Sequence, residues 1–396
     1  MFPSHDSAGV GMKLVMVILS LLTCVLGKNV SEYEYLQMEY LKSLHKPAVT
    51  SIQTEHGDIY DCVDIYKQPA FDHPLLKNHT IQMTPTLYPK GIMKNNSKNG
   101  VASSGLKDGG CPRGTVPIKR AQIQDILFAN SLKKLKRKAN SLKGGASGGF
   151  THSYATLKTR YGAYYGARAV MNVWQPSVQG KEAFSLSQIW VTSGPYADVN
   201  TIEVGWIVYP TLFGPQTRLF VFWTVDGYRN TGCYNLFCPG FVQVNPRIPV
   251  DVPLQVSTYN DQQYEITLEV VQDPSSGNWF LMKDELSIGY WPKSLFNYLN
   301  TKANKVDWGG ETSFLKPGVD PAMGSGHFPS EGYGKAAYIR EVKVIDDNIL
   351  MTWKAVRDGI PLARKPRCYQ VEYNPNGKGA IPDAHFLYGG PGVSCD

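Results

Sequence analysis

Residues 199–210 read Val-Asn-Thr-Ile-Glu-Val-Gly-Trp-Ile-Val-Tyr-Pro. Their β-branched and aromatic side chains predict a strand that ends at the final proline. Side chains alternate between the two faces of a strand, so Glu203 shares its face with Gly205, Ile207 and Tyr209. The opposite face is wholly apolar and reads as core: Ile202, Val204, Trp206 and Val208. A lone strand glutamate is by default solvated, so a role for Glu203 needs support from the rest of the chain.

The composition is that of a globular protein with many turns. Of 396 residues, 42% are hydrophobic and 18% charged, and 38 Gly and 26 Pro punctuate the chain. The net charge of +7 is spread over a long chain, which gives no argument for nucleic-acid binding. We therefore expect no nucleic-acid partner.

Short strands separated by turn signals are predicted throughout the second part of the chain. With only a brief helical hint at 292–299, they indicate an antiparallel sandwich or barrel. The preceding part combines predicted helices at 31–44 and 121–132 with strands at 58–66 and 111–118, which is an α+β pattern. The later candidate strands are 167–174, 184–192, 201–209, 217–225, 241–244, 264–271, 279–283, 288–291, 336–345, 349–353, 368–373 and 385–388.

The N-terminus has the pattern of a secretory signal. Lys13 precedes an apolar run that is too short to span a bilayer comfortably and that ends in small residues. We expect a signal peptide at 1–27 and, because no later run is long enough to span a membrane, a protein without a membrane association after its removal. The expected location is secreted, either extracellular in the apoplast or in the vacuole.

A basic and then glycine-rich stretch at 133–149 divides the chain. Such a stretch is a solvated tether or the place where a pro-segment is removed, and the two interpretations stand about level. We expect a pro-domain at 28–145 and a second domain at 146–396.

Six cysteines remain after the signal peptide, an even number that indicates three disulfides in an oxidising compartment. Zinc is the competing interpretation, but no pair has the C-x-x-C spacing and we expect no metal and no cofactor. Proximity in sequence suggests these pairs: Cys62–Cys111, Cys233–Cys238 and Cys368–Cys395.

Three glycosylation sequons lie in the first quarter of the chain, at Asn29, Asn78 and Asn95. Their clustering indicates that this part is a separate unit with a large surface.

A second carboxylate stands in an unusual setting, where residues 306–312 read Val-Asp-Trp-Gly-Gly-Glu-Thr. The two glycines let backbone approach closely, and Trp308 is a candidate wall for a cleft beside Glu311. The familiar signals of other peptidases are missing: the chain has no HExxH and no Asp-Thr-Gly, and its G-x-S-x-G lies inside the glycine-rich linker.

Several longer runs of sequence resemble the plant neprosin family. Residues 62–76 and 111–118 are similar to its activation peptide, and residues 186–191, 202–206, 323–329 and 388–392 are similar to its catalytic domain. The resemblance implies a glutamic endopeptidase that is secreted as a zymogen, is active in acid, cuts after proline and folds as an antiparallel β-sandwich. It also implies that Glu203 and Glu311 are the catalytic pair and that Gln188 supports them.

Paired carboxylates supply a general acid beside a general base, as hydrolysis by water requires. The sequence does not decide which is which, although desolvation by Trp308 would favour Glu311 as the acid, and Gln188 would donate to the oxyanion. Trp190 and Tyr209 are candidates for packing on a substrate proline, although ordinary sheet packing is the commoner use of such residues. The expected partners are proline-containing substrates and the chain's own pro-domain, which would cover the cleft of a monomer until acid weakens its contacts.

The rival interpretation is a secreted β-sandwich that binds cell-wall glycan or protein with little or no peptidase activity. A purely structural wall protein is disfavoured, because such a protein has little need of a pro-segment.

Overall fold

The computed structural model describes residues 45–91, 99–102, 105–106, 109–122, 149–180, 182–347 and 349–393, together with 39, 41 and 42. The expected signal peptide, Asn29, Asn95, Cys395, most of both predicted N-terminal helices and the linker up to residue 148 lie outside the described residues.

Twenty strands are the main regular structure of the described chain. Short 3₁₀ turns occur at Pro69–Asp72, Pro74–Leu76, Tyr196–Asp198, Lys293–Leu295 and Pro329–Glu331, and a single α-helical turn at Pro210–Phe213. The strands are β1 Ala48–Gln53, β2 Ile59–Asp64, β3 Gly100–Val101, β4 Thr115–Lys119, β5 Phe150–Lys158, β6 Gly166–Asn172, β7 Phe184–Ser193, β8 Asn200–Tyr209, β9 Gly214–Thr224, β10 Cys233–Tyr234, β11 Val242–Gln243, β12 Tyr264–Gln272, β13 Trp279–Lys283, β14 Leu286–Trp291, β15 Lys305–Leu315, β16 Ala337–Ile345, β17 Lys354–Ala355, β18 Ile360–Ala363, β19 Gln370–Asn374 and β20 His385–Gly389.

Two large sheets form the second domain. The seven-stranded sheet has the order β10-β9-β8-β7-β15-β5-β18, and the ten-stranded sheet runs β11-β14-β13-β12-β6-β16-β20-β19, with β17 beside β16 and β3 beside β12. Only the β3–β12 pair is parallel among the described strand pairs. The predicted all-β class with antiparallel sheets is confirmed.

The apolar faces of the two sheets pack on each other in one continuous core. Three of the four residues predicted to be apolar on β8, Ile202, Val204 and Trp206, lie in this core, in one cluster with residues of the other sheet such as Ile266 and Ile339. The indole of Trp206 also donates to the backbone oxygen of Asn172 on β6, across 3.1 Å. The arrangement is a β-sandwich, in which the alternation along β8 orients Glu203 away from the core.

Most predicted strands are found within a few residues of their expected ends. Four strands of the seven-stranded sheet, β5, β10, β15 and β18, were not predicted. Glycine-rich sequence precedes β5, and Gly309-Gly310 interrupts β15. The predicted strand at 349–353 is wrong: these residues form a turn followed by a single bridge through Thr352 to Lys90. The helical hint at 292–299 is reduced to the 3₁₀ turn Lys293–Leu295.

The N-terminal region forms a separate three-stranded antiparallel sheet, β1-β2-β4. It docks on the sandwich through charged pairs, since Asp58 contacts Arg218 at 2.8 Å and Lys119 contacts Asp251 at 2.7 Å. The hydroxyl of Tyr60 donates to the backbone oxygen of Asp251 at 3.0 Å. Charged side chains of the N-terminal sheet and of the sandwich therefore contact one another where the two parts meet.

Beyond this sheet, the region continues along the ten-stranded sheet. Gln68 exchanges hydrogen bonds with the backbone of Gln243, and Thr86 donates through its backbone nitrogen and hydroxyl to Asp273. The cover expected over the cleft stays a prediction, because residues 123–148 lie outside the described chain.

Two of the three expected disulfides are present, Cys62–Cys111 and Cys233–Cys238, with S–S distances of 1.97 and 2.02 Å. Cys368 is disulfide-bonded, but its expected partner Cys395 lies outside the described residues. The asparagine of the one described sequon, Asn78, is exposed. Among the described residues, no helix is long and apolar enough to cross a membrane.

Candidate active site

Strand order brings the three predicted site residues onto one face of the seven-stranded sheet. β7 lies between β8 and β15, so Gln188 is flanked by Gly205 on one side and Gly309 on the other. Glu203 pairs across the sheet with Trp190, and Glu311 pairs with Leu186. Gln188 lies between Leu186 and Trp190 on the same face of β7, and so between the two carboxylates along the strand direction. The three side chains belong to a single site, on the face opposite the sandwich core.

The two glycines beside Gln188 leave no room for a side chain. A Cβ atom at Gly205 would lie 1.9 Å from the backbone oxygen of Ser187, and one at Gly309 would lie 2.3 Å from that of Ala155. Gly309 also has a φ of +144°, which L-residues rarely adopt. The sheet therefore carries no side chain at the two positions that flank Gln188.

Glu203 is buried and accepts three hydrogen bonds. Gln188 donates through Nε2 to its Oε2 at 3.0 Å, while Thr201 and Tyr228 donate their hydroxyl hydrogens to Oε1 at 2.9 and 2.6 Å. Burial raises the pKa of Glu203, the three donors lower it and the charge of Glu311 raises it, so that the net pKa is about 7. In acid this side chain carries a proton.

Glu311 has a different set of neighbours. It is 8% exposed, and its Oε1 lies 2.7 Å from Nδ1 of His152 on the adjacent strand β5. Burial, together with the charge of Glu311 and a hydrogen bond to it, raises the pKa of Tyr154 well above the ordinary value. The two glutamates thus interact electrostatically but have different partners.

Aromatic rings line the same face of the sheet. Trp190 and Tyr209 belong to this cluster, in which Tyr209 lies 5.4 Å from Phe184 and Trp190 lies 6.5 Å from Tyr154, between ring centroids. Both are buried at 8% and 1% exposure, so they pack against neighbouring rings while lying on the face of the glutamates. The whole cluster comprises Tyr154, Phe184, Leu186, Trp190, Ile207, Tyr209, Leu212, Phe213, Phe220, Phe222, Tyr234 and Phe237.

The prediction that Trp308 walls the cleft is wrong. Its side chain lies in the core between the sheets and is fully buried there, since it stands three residues before Glu311 and so on the opposite face of β15. Trp308 therefore cannot desolvate Glu311, and the reason for favouring Glu311 as the acid disappears. Glu203 is the glutamate whose pKa burial raises.

Four contact residues were not found from the sequence. Thr201 precedes Glu203 by two positions, so the alternation that was used for the strand could have identified it. Tyr228 lies in a loop with a φ of +64°, and Tyr154 and His152 lie on the strand that was not predicted. No local signal connects these last three to the glutamates.

No group of three or more His, Cys, Asp or Glu that could hold a metal ion occurs within the described ranges. The chemical groups that the site offers are carboxylates, an amide, hydroxyls and an imidazole.

Comparisons with known proteins match both parts of the chain. Residues 181–391 match the family model described as Neprosin, and residues 51–158 match the model of the Neprosin activation peptide. The second match continues past the expected domain boundary at 145 and includes β5.

Among solved structures, the chain is similar to scytalido-glutamic peptidase with a transition-state analogue inhibitor, at 11% identity, with 61% of this chain and 98% of that chain covered and a TM-score of 0.34. It is also similar to SCP-B, a member of the Eqolisin family of peptidases in a complex with the tripeptide Ala-Ile-His, at 11% identity, with 60% and 98% covered and a TM-score of 0.33. At these TM-scores neither likeness carries an argument about the present site.

Proposed function

The chain belongs to the neprosin family, and on that premise we propose that it is the zymogen of a glutamic endopeptidase that hydrolyses peptide bonds in acid. The observation that carries this proposal is the pairing of Glu203 and Glu311 on one aromatic-lined sheet face, with the pKa of Glu203 raised to about 7. A buried carboxyl that keeps its proton in acid beside a second carboxylate is a matched acid and base.

In the proposed reaction, Glu311 is the base and Glu203 the acid. Glu311 takes a proton from a water molecule whose oxygen attacks the scissile carbonyl, and Glu203 gives its proton to the departing nitrogen as the C–N bond breaks. One proton has then moved from Glu203 to the amine and another from water to Glu311. Exchange with solvent returns both glutamates to their starting states.

Gln188 is suited to stabilising the oxyanion. Its Nε2 donates to Glu203, and its buried Oε1 has no hydrogen-bond partner among the described residues. When Glu203 is protonated, the opposite amide orientation lets Oε1 accept that proton and turns the NH₂ group to the unpartnered side. The amide then donates to the developing oxyanion, and the hydrogen bond from Glu203 to Oε1 breaks when that proton passes to the departing nitrogen.

The preference for proline is the finer part of the proposal. The aromatic side chains around Tyr209 and Trp190 form an apolar cluster of the kind against which a pyrrolidine ring packs well. Because Gly205 and Gly309 carry no side chains, nothing projects from these two positions between an extended substrate and the glutamates. A proline-containing substrate would combine both contacts.

We propose that the N-terminal region is the inhibitory pro-domain and that it is removed by cleavage before β5. The strand β5 pairs with β15 from Leu315–Phe150 to Asp307–Lys158, so a cut beyond it would strip a strand from the catalytic sheet. The basic stretch at 133–138 lies before this limit. Secretion and glycosylation at Asn78 fit the disulfides and the exposed position of that asparagine.

The alternative function, a sandwich that binds glycan or protein without hydrolysis, would also use an aromatic-lined face. It gives no reason for a buried glutamate with a raised pKa, because a binding site gains nothing from a group that titrates near neutrality.

The test is cleavage of a fluorogenic peptide that contains proline, measured from pH 3 to 8 after acidification of the purified zymogen. Glu203→Gln and Glu311→Gln should each abolish cleavage, whereas Glu331→Gln, an exposed glutamate paired with His327, should leave it unchanged. Thermal unfolding of each variant verifies that it is folded. No cleavage by folded, processed wild-type protein would favour the binding function.

A further inference from the structure

We infer that His152 is a positioning residue for the base: as an imidazolium, it holds Glu311 in the carboxylate form under the acidic conditions in which Glu203 is protonated. The role presupposes the proposed function, because only a peptidase that works through these two glutamates needs an ionised base in acid.

Strand pairing places the imidazole beside the carboxylate. His152 of β5 is in register with Ser313 of β15, two residues from Glu311 on the same face of the sheet. Its Nδ1 lies 2.7 Å from Oε1 of Glu311, and its Nε2 lies 3.4 Å from the hydroxyl oxygen of Ser313. A carboxylate oxygen only accepts hydrogen bonds, so Nδ1 is the donor in this contact.

Rings on either side keep the imidazole in this orientation. Tyr154 stacks on it with ring centroids 6.4 Å apart and an interplanar angle of 15°. Phe184 meets it edge-on, with ring centroids 6.1 Å apart. The charged or titratable groups that face the pair are Tyr154 on β5, Glu203 on β8, Tyr228, Tyr234 on β10 and Arg364, whose guanidinium lies over the Tyr154 ring at 5.4 Å. Among the ion pairs found for the described residues, His152 is the basic partner of Glu311.

The chemistry explains why such a contact is needed. Acid puts the required proton on Glu203, but it also tends to protonate Glu311, and a protonated Glu311 cannot take a proton from water. Histidine side chains are cationic in acidic solution, and a cation in contact with a carboxylate favours its ionised form. The pair thus keeps the two glutamates in opposite protonation states over a wider range of acidic pH.

The location of His152 also limits processing. It stands three residues after Gly149, at the start of the first strand that follows the basic linker. Cleavage has to occur before His152 for the mature enzyme to retain the pair.

The experiment compares kcat and KM from pH 3 to 8 for wild-type protein, His152→Gln and the control His327→Gln. The control removes a histidine of similar exposure that pairs with another glutamate, Glu331, at 2.9 Å. Each zymogen is nicked in the same way with trypsin, for which the stretch 133–138 supplies sites.

We expect His152→Gln to move the acid limb of kcat/KM upward by about one pH unit, which is a roughly tenfold loss on the acid side with recovery towards pH 6. The loss should be in kcat with little change in KM, and His327→Gln should match wild type. An equal loss at every pH, an unchanged profile, or a shift of the alkaline limb alone would overturn the role.

A second readout does not depend on activity. Melting temperatures in acid of His152→Gln, Glu311→Gln and the double variant should be non-additive, because either single change already removes the pair. Additive losses would overturn the contact. If folded, nicked wild-type protein cleaves no peptide at any pH, the proposed function fails, and the role of His152 fails with it. The melting temperatures of the single and double variants still show separately whether His152 and Glu311 form a pair.

Discussion

The hydroxyl of Tyr228 donates to Oε1 of Glu203 across 2.6 Å, from a loop residue that is 25 positions further along the chain. The contact matters because this hydrogen bond lowers the pKa of the glutamate against the larger, opposing effect of burial. Tyr228 therefore helps to set the pH at which the proposed acid loses its proton.

Tyr228→Phe should raise the pKa of Glu203 above about 7, because the ionised form loses a donor. Hydrogen bonds to charged groups are worth about 1.5–3 kcal/mol, so the alkaline limb of kcat/KM should move up by about one pH unit or more. The matched control is Tyr259→Phe, whose hydroxyl donates to the exposed Glu331 at 2.9 Å. An alkaline limb that stays in place or moves down would contradict the assignment of Glu203 as the acid.

Glu203→Gln should stabilise the fold at alkaline pH and have little effect in strong acid. The pKa of Glu203 is about 7 in the folded protein and 4.5 ordinarily. The contribution of Glu203 to the free energy of unfolding is therefore fully present below pH 4.5 and is lost as the pH rises to 7. The neutral amide avoids this loss, which is about 3 kcal/mol above pH 7. Thermal unfolding at pH 4 and pH 8 measures the difference.

Glu265→Gln is the reference of opposite sign for that measurement. Burial raises the pKa of Glu265, but hydrogen bonds and charge from Arg340 outweigh it and the net pKa is lowered. Its contribution to stability is present at neutral pH and is lost as the pH falls, so the amide should destabilise most at pH 8. If the melting temperatures of Glu203→Gln and Glu265→Gln changed with pH in the same way, the opposite pKa shifts of the two glutamates would not be the cause.

Gly309→Ala should destabilise the sheet between the glutamates by at least about 2 kcal/mol, because the added carbon meets a backbone oxygen at 2.3 Å in a backbone conformation that is already unfavourable. Gly332→Ala separates the two causes, since its φ is +79° but nothing lies within 4 Å of the added carbon. Denaturant unfolding of both variants should show the larger loss for Gly309→Ala. Similar losses would mean that the close approach to β5 is unimportant.

Thr86→Val should weaken docking of the N-terminal region and reduce its sensitivity to acid. Burial raises the pKa of Asp273, but hydrogen bonds from Thr86 and Ser276 outweigh it and hold the pKa below its ordinary value. Undocking removes the Thr86 bonds, so docking is favoured at neutral pH and weakens as Asp273 is protonated.

Gel filtration of protein nicked in the linker, from pH 3 to 7, would measure the fraction of the N-terminal region that stays bound. Thr50→Val, at an exposed position of β1, is the control and should behave as wild type. A Thr86→Val variant that releases the region at the same pH as wild type would show that this contact does not contribute.

The sequence predicted the catalytic face of β8 correctly because alternation is a local property. It also identified Glu203, Glu311 and Gln188 as residues of one site through resemblance to a family, and the sheet brings all three together. The same alternation would have placed Trp308 in the core, but Gly309 and Gly310 concealed the strand that carries it. The sequence of a glycine-rich strand resembles that of a turn, and only the neighbouring strands with which it pairs tell the two apart.

By itself, the sequence determined the all-β class, the two disulfides that can be seen in full and the side of β8 that each residue takes. These follow from residue type and short-range spacing. Only the tertiary structure decided that β7 lies between β8 and β15, that His152 contacts Glu311 and that Glu203 is the glutamate with the raised pKa. Strand order and burial depend on pairings between distant segments, and no local pattern records which segments pair.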